Sequence, residues 1–388
     1  MKKSVIVLMS LLCSAGCVQQ EFGKSQKVAN LVNGLTVCDR SLLKDTIVFP
    51  LSYFTEEMEI VKLEMSNDAV VGVGDVVIGE KYILVRGTRN NPSKLFAKDG
   101  KFITCIGAIG RGPGEYQNIY DEVLDEKNDR IYFLPWMSQN ILVYDLKGNV
   151  LDPVKLPMSV PKGKFFVDTS TKTVSVFALP FTGSQYVAWT QTMSGEVING
   201  IDPGHLSVRP DFSNEIVSAK NTSDMVAFEF TFDSRPDTLY HFDSKANKLV
   251  PRFVVDYGDN ASFQYPVYTE LPNHYMGYFS AKELKQVGPG SFTTTNHVFF
   301  VVEKSTLKGD FFKLINDFLG DMMIEWPIYA FSNGYFIKNY DPGDLLDDLE
   351  KALLNEKLSN DMRQKMVKLK NSISEKDNNY ILYAKLKK

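Results

Sequence analysis

The stretch Gly107–Asn118 reads "GAIGRGPGEYQN", and what it joins decides the fold. A phosphate cradle would need Lys-Ser or Lys-Thr after its glycines and a helix behind them. A dinucleotide fingerprint would likewise open a helix. Before the glycines runs "KFITCIG", a strand pattern. After them runs "IYDEVLDEKNDRIYFLPW", which alternates and turns with no helical period. The stretch therefore joins strand to strand. Its glycines supply turns and Pro113 stiffens the path.

Outward from this loop the pattern repeats. "DVVIGEKYILVRGTRNNPSKLFAKDGKFITCIG" aligns with "IYDEVLDEKNDRIYFLPWMSQNILVYDLKGNVLDPVKL" at "KYILV" over "RIYFL". Each block has an inner strand, a turn, a second strand and a longer loop. A third strand follows, then Lys-Asp-Gly or Asp-x-x-Gly, which is hairpin chemistry, and a fourth strand. Four strands in roughly forty to fifty residues are the period of a β-propeller blade. Weaker copies begin at "KFFVD" and "EIVSA". "HVFFVVEKSTLKGDFFKLI" and "IYAFSNGYFIKNY" read as later, degenerate blades. The count predicts an all-β, six-bladed β-propeller.

The C-terminal region breaks the period. Leu345, Leu346, Leu349 and Leu353 fall at helical spacing, as do Met362, Met366 and Leu369,. Asp341 offers a cap and Pro342 a first-turn proline. A helical insertion over about 342–376 in the last blade is expected. A closing strand follows at 379–387, "NNYILYAKL", with "TIVFPL" near the start as its expected partner.

The chain has 388 residues, 12% aromatic, with a net charge of −4. Such a balance gives no basic field for nucleic acid. The N-terminus reads as an export signal: Lys2 and Lys3, the short apolar run "VIVLMSLLC", then "SAGC" ending at Cys17,. Small residues before Cys17 resemble the bacterial lipobox, departing from it at Ser14. The resemblance implies a signal peptide over 1–16, acylation of Cys17, a tether over 17–42 and a propeller over 43–388. An ordinary signal peptide with a bystander Cys17 is the other reading. Cys38 and Cys105 then remain, and no disulfide is expected. No C-x-x-C occurs, so no metal site is expected.

"IGRGPGEY", "NILVYDLKGNV", "DTLY" at 237–240, "SNGYF" at 332–336 and the terminal "NNYILYAKLK" resemble the six-bladed β-propeller lipoproteins with NHL-like repeats. Those are exported by Gram-negative anaerobes and are mostly of unknown function. The resemblance implies an outer-membrane lipoprotein, on the periplasmic face or the cell surface.

Loops between blades, and those between second and third strands, share one face of a propeller, here called the top. They place Arg111, Glu115 and Tyr116, Trp136, Gln139 and Asn140, and Arg235 and Asp237 there. "DYGDNASFQYPVYTELPNHYMGY" reads as a long loop on the same face, carrying Tyr265, Tyr268, His274 and Tyr275. Aromatics and an arginine on one rim suit a sugar or a peptide. The structural alternative is that Glu115 holds the turn, Tyr116 wedges the blades and the other aromatics fill space. The four histidines lie in separate blocks, and no G-x-S-x-G elbow occurs,. The expectation is a monomeric binding or scaffold module without cofactor, for a peptide, carbohydrate or protein partner. A lyase or hydrolase with its site in the channel is the rival.

Overall fold

The computed structural model describes residues 22–388 except 89, 223, 231–236, 259–266, 280–283, 289–290 and 295–296. It is the six-bladed propeller expected. Blade 1 runs Val76–Ile78, Tyr82–Val85, Ser93–Ala97 and Phe102–Ile106, each strand antiparallel to the next. Blade 2 spans Ile119–Asp125 to Val150–Val160, and blade 3 spans Gly163–Asp168 to Val197–Ile201. These three coincide with the sequence repeats, because each places its hairpin signal where a β-turn forms.

The second half is assembled differently. Blade 4 (Glu215–Val217, Met225–Glu229, Thr238–Asp243, Lys248–Asp256) carries Leu35–Asp39 in parallel on its outer edge, with Ala29–Val32 beyond. Blade 5 begins at Val267–Glu270 and His274–Phe279, continues through Val298–Glu303 and Gly309–Asn316, and has the short strand Met322–Ile324 paired beyond. The segment read as one long loop thus contains the two inner strands of a blade. Neither strand alternates in and out, because every residue of both is buried, the polar Thr269 and Glu270 included.

Blade 6 is closed by both ends of the described chain. Phe331–Ser332 and Tyr335–Tyr340 are followed, after the helices, by Tyr380–Leu386, and the outermost strand is Thr55–Lys62. The expected partner of the closing strand, "TIVFPL", is displaced by one segment. Thr46–Pro50 lies parallel to Phe311–Ile315 on blade 5, and the next strand along makes the closure. Residues 29–62 therefore pass around blades 4, 5 and 6 in turn, covering edges that would otherwise template aggregation.

Helix α1 is the single turn Leu51–Phe54. The insertion comprises α2, Pro342–Leu353, and α3, Asn360–Lys370. The Asp341 carboxylate accepts from Gly343 N at 2.8 Å, and the Ser359 hydroxyl accepts from Met362 N at 3.1 Å. Leu345, Leu349, Met362, Met366 and Leu369 join the core between blades 5 and 6, with Phe49 and Leu51.

Candidate functional site: the top mouth of the channel

The glycine loop is where it was expected, between the outer strand of blade 1 and the inner strand of blade 2. It folds on itself, Ala108–Ile109 pairing in parallel with Glu115–Tyr116. Tyr116 is buried, its hydroxyl accepting from Ser93 N at 2.8 Å and donating to Ile106 O at 2.7 Å. It fastens blade 1 to the loop. Glu115 is exposed and accepts from Gly112 N at 2.8 Å. A Cβ on Gly110 would stand 1.9 Å from that carboxylate, so the glycine is needed for close approach. Gly114 has φ +72°, and a Cβ there would meet Val150 at 2.5 Å. Arg111, Glu115, Trp136 and Asn140 line one open cleft of about 800 Å³ against Val150 and Pro153.

Three residues expected on the top-face loop lie in strands of blade 5. Tyr268 is buried in the innermost strand of blade 5, edge-on to Phe253 at 5.3 Å. His274 starts the next strand, at the opposite end from the top loops, and packs against Phe22, Tyr53 and Phe54. Burial pushes its imidazole down to about 4. Tyr275 stacks on Phe253 at 4.5 Å. All three sit in strands and their rings pack in blade interfaces, and Tyr268 also lines the channel cavity. Arg235, Tyr265 and Cys17 lie outside the described residues. Cys38 and Cys105 are free thiols, and burial pushes Cys38 up to about 12.

The sequence reading placed a rival site in the channel but named only Tyr268 of its wall, where a cavity of about 240 Å³ is lined by inner strands of every blade. Its wall is charged. Arg86 binds Glu122 and Asp75, and its Nε donates to Glu122 at 2.6 Å. Lys220 donates to Asp121 at 2.7 Å and to Glu122 O at 3.0 Å. Lys164 donates to Tyr120 O at 3.3 Å and lies 3.9 Å from Asp121. Lys162 donates to Glu215 at 2.8 Å, and to Phe212 O and Asn214 O at 2.9 Å each. Tyr120 donates to the same Glu215. Each of these cations therefore meets a carboxylate, as burial demands.

The far end is plugged. The turn between Glu215–Val217 and Met225–Glu229 bonds across to blade 6: Asn333 N donates to Ala219 O at 2.8 Å, Asn221 Nδ2 to Phe331 O at 3.1 Å, and Gly334 N to Asn221 Oδ1 at 3.0 Å. Lys220, in the left-handed region at φ 53°, turns back from this plug to reach blade 2. The top end is framed by aromatics. Trp136 is 45% exposed and Phe212 49%, and their rings meet at 5.9 Å. Trp326 is 43% exposed and Tyr329 56%. Trp326 packs on His297 at 4.6 Å, and the Tyr329 hydroxyl lies 3.2 Å from that of Tyr278. Burial, and after it the nearby Glu229 carboxyl, raises the Tyr329 hydroxyl above the ordinary tyrosine range. Trp326 precedes the stretch read as the last blade and Tyr329 is its second residue, and no spacing marks either as a rim residue; only the fold reveals them as such.

Among the described residues no His, Cys, Asp and Glu side chains gather as a metal site, and no helix is long and apolar enough to cross a membrane.

These features define a six-bladed β-propeller with a plugged, charge-paired channel and an aromatic-framed top mouth. Over residues 38–385 the chain matches the family described as "Domain of unknown function (DUF4934)" and belongs to it. No curated protein matches. Among solved structures it is similar to a "Putative exported protein" of Bacteroides fragilis, at 15% identity and TM-score 0.59, covering 91% of this chain and 100% of that one. A member of the DUF4221 family from Bacteroides vulgatus covers 86% of this chain and 97% of its own at 10% identity, with TM-score 0.39. The Bacteroides fragilis likeness speaks for the fold.

Proposed function

We propose that this protein is an exported, lipid-anchored binding module that receives a carbohydrate across the top mouth of its channel. One observation carries the reading. Trp136 of blade 2, Phe212 before blade 4, and Trp326 and Tyr329 between blades 5 and 6 are exposed at the top, and the channel cavity that Tyr329 borders is lined by Arg86, Asp121, Glu122 and Lys164, whose positions are fixed by ion pairs. A sugar ring stacks its C–H face on such rings and turns its hydroxyls to polar edges. Export rests on the N-terminal signal pattern and on the exported description of the Bacteroides fragilis neighbour. Anchoring rests on Cys17. The binding test is a glycan array followed by calorimetry on the mature chain. Trp136→Ala and Trp326→Ala should each weaken a hit by about tenfold, the loss of one aromatic anchor. Hits indifferent to both substitutions contradict the reading, as does a peptide bound in place of any glycan. For the anchor, a fatty-acid probe should label the wild type and not Cys17→Ser.

A further inference from the structure

The described chain starts at the bottom of the ring, at the opposite end from the mouth. Phe22 is 3% exposed and packs on His274, at the start of the second strand of blade 5. Residues 25–29 run along the turn between the third and outer strands of that blade. Gly309 N donates to Gln26 O at 3.3 Å, Val28 N to Leu307 O at 2.9 Å, and Ala29 N to the same oxygen at 3.2 Å. In sequence only residues 18–21 stand between Cys17 and Phe22. Fully extended, that span reaches at most about 18 Å. The blade is deeper: its third strand alone, the six residues Val298–Glu303, measures about 20 Å. An acyl anchor on Cys17 therefore draws the bottom toward the bilayer and leaves the mouth out of reach of it. The charge of that corner fits such a surface. Lys24 and Lys27 are exposed. Lys308 and Lys387 lie beside them, tied through Nζ to Gly23 O and Ser52 O, each with N–H groups to spare,. Lys387 N also donates to Phe54 O at 2.9 Å, and Phe54 packs on His274 as Phe22 does. The carboxylates of the same turns are fewer and engaged. Glu270 is buried against His241 and Lys304, Glu303 accepts from the Thr306 hydroxyl, and Asp317 accepts from Ser52 N. Lys44 and Asp45 offset each other. The bottom turns of blades 1 and 2 mix their signs, as in Glu80–Lys81, Lys98–Asp99 and Glu126–Lys127.

We propose that this corner is the protein's contact with the membrane: Lys24, Lys27, Lys308 and Lys387 rest on the anionic phospholipid headgroups of the bilayer that holds the acylated Cys17, and the mouth opens away from that bilayer. The proposal rests on the anchoring reading above and not on the carbohydrate one. A lipid by itself leaves the body free to swing on its leash. Ammonium groups within a Debye length of the surface, about 10 Å at 0.1 M salt, are attracted to anionic headgroups. The attraction acts at one corner only, because the mixed turns of blades 1 and 2 gain nothing net from it. The tilt is thereby fixed with the corner of blades 5 and 6 against the lipid. Seated so, the mouth receives a ligand from the aqueous side with no lipid in its path.

The test uses the mature chain joined through Cys17 to a maleimide phospholipid in nanodiscs. Cys105→Ser removes the competing thiol, and Cys38 is buried. One set of discs contains phosphatidylglycerol with phosphatidylcholine, the other phosphatidylcholine alone. Lysines are footprinted with an amine-acetylating reagent and read by mass spectrometry. In the anionic discs Lys24, Lys27 and Lys387 should react at least about fivefold more slowly than in the neutral ones, whereas Lys81, Lys127 and Lys147 should not change. Raising the salt to about 0.5 M should erase the difference. Lys24→Gln combined with Lys27→Gln should remove most of the protection of Lys387, with circular dichroism confirming a native fold. Reactivity that is the same in both discs, or protection that falls on Lys81, Lys127 and Lys147, overturns the contact and leaves the anchor standing. Failure of the native chain to take up a fatty-acid probe at Cys17 overturns the anchor, and the proposal with it.

Discussion

Blades 1 to 3 and blades 5 to 6 solve the same packing problem in different ways. The first three are self-contained: four consecutive strands, hairpin turns, and a core built from neighbours in sequence, such as Leu84, Leu95, Ile106 and Phe133. The last two borrow. Phe22, Phe49, Leu51 and Met58 from the N-terminal segment share a core with Leu314, Phe331, Leu349, Met366 and Leu382. Local contacts close the first half. In the second half more than 250 residues separate partners such as Ser52 N and Asp317, 3.0 Å apart. The difference teaches that the ring is held shut by a girdle and not by repeat-to-repeat packing alone.

The strongest way to break that contrast is to delete residues 22–62. This removes the outer strand of blade 6 and the parallel strands on blades 4 and 5. The expected outcome is loss of the cooperative thermal transition; a truncated chain melting like the wild type would remove the girdle from the account. Next is Gly114→Val, at a left-handed φ and 2.5 Å from Val150. It should cost about 2 kcal/mol or more by chemical denaturation, within the self-contained half.

A smaller effect, dependent on pH, belongs to the borrowed half. His274 stays neutral to about 4 in the fold, against about 6.5 for an unfolded chain. Its contribution is complete above the unfolded value and drains away as pH falls toward the folded one. His274→Phe should flatten the melting temperature over that window; an unchanged slope would show that other groups govern it. Smallest is the exposed rim of the glycine loop. Glu115→Ala should cost about 1 kcal/mol for the lost bond to Gly112 N. Arg111→Ala should change stability by less than about 0.5 kcal/mol.

The contrast also explains what was legible in the sequence. Blades 1 to 3 were readable because "KDG" and "DLKG" mark their turns and one face of each strand alternates. The helices were readable because Asp341 caps and Leu345 and Leu349 keep helical spacing. The inner strands of blade 5 were not, because "VYTE" and "HYMGYF" are buried on both sides and read as an aromatic loop. That misreading put His274 on a rim it does not occupy, and put Tyr268 in a loop when it stands in a strand of the channel wall. The glycine loop was legible as architecture, and Tyr116 and Glu115 do hold it. The mouth was not, because Tyr120, Lys162, Glu215 and Tyr329 come from separate blades and share no spacing; only ring closure brings them together.

The chain has three tryptophans, and their placement supplies the most direct test. Trp136 and Trp326 are exposed at the top, whereas Trp189 is fully buried in blade 3, its indole donating to Gln191 at 2.8 Å. The measurement is the set of indole N–H resonances in the ¹⁵N-labelled protein, titrated with the glycan that the array selects. If the mouth is the binding site, the Trp136 and Trp326 signals shift saturably together while that of Trp189 stays fixed. A saturable shift of neither rim indole, or of Trp189 alone, would contradict it.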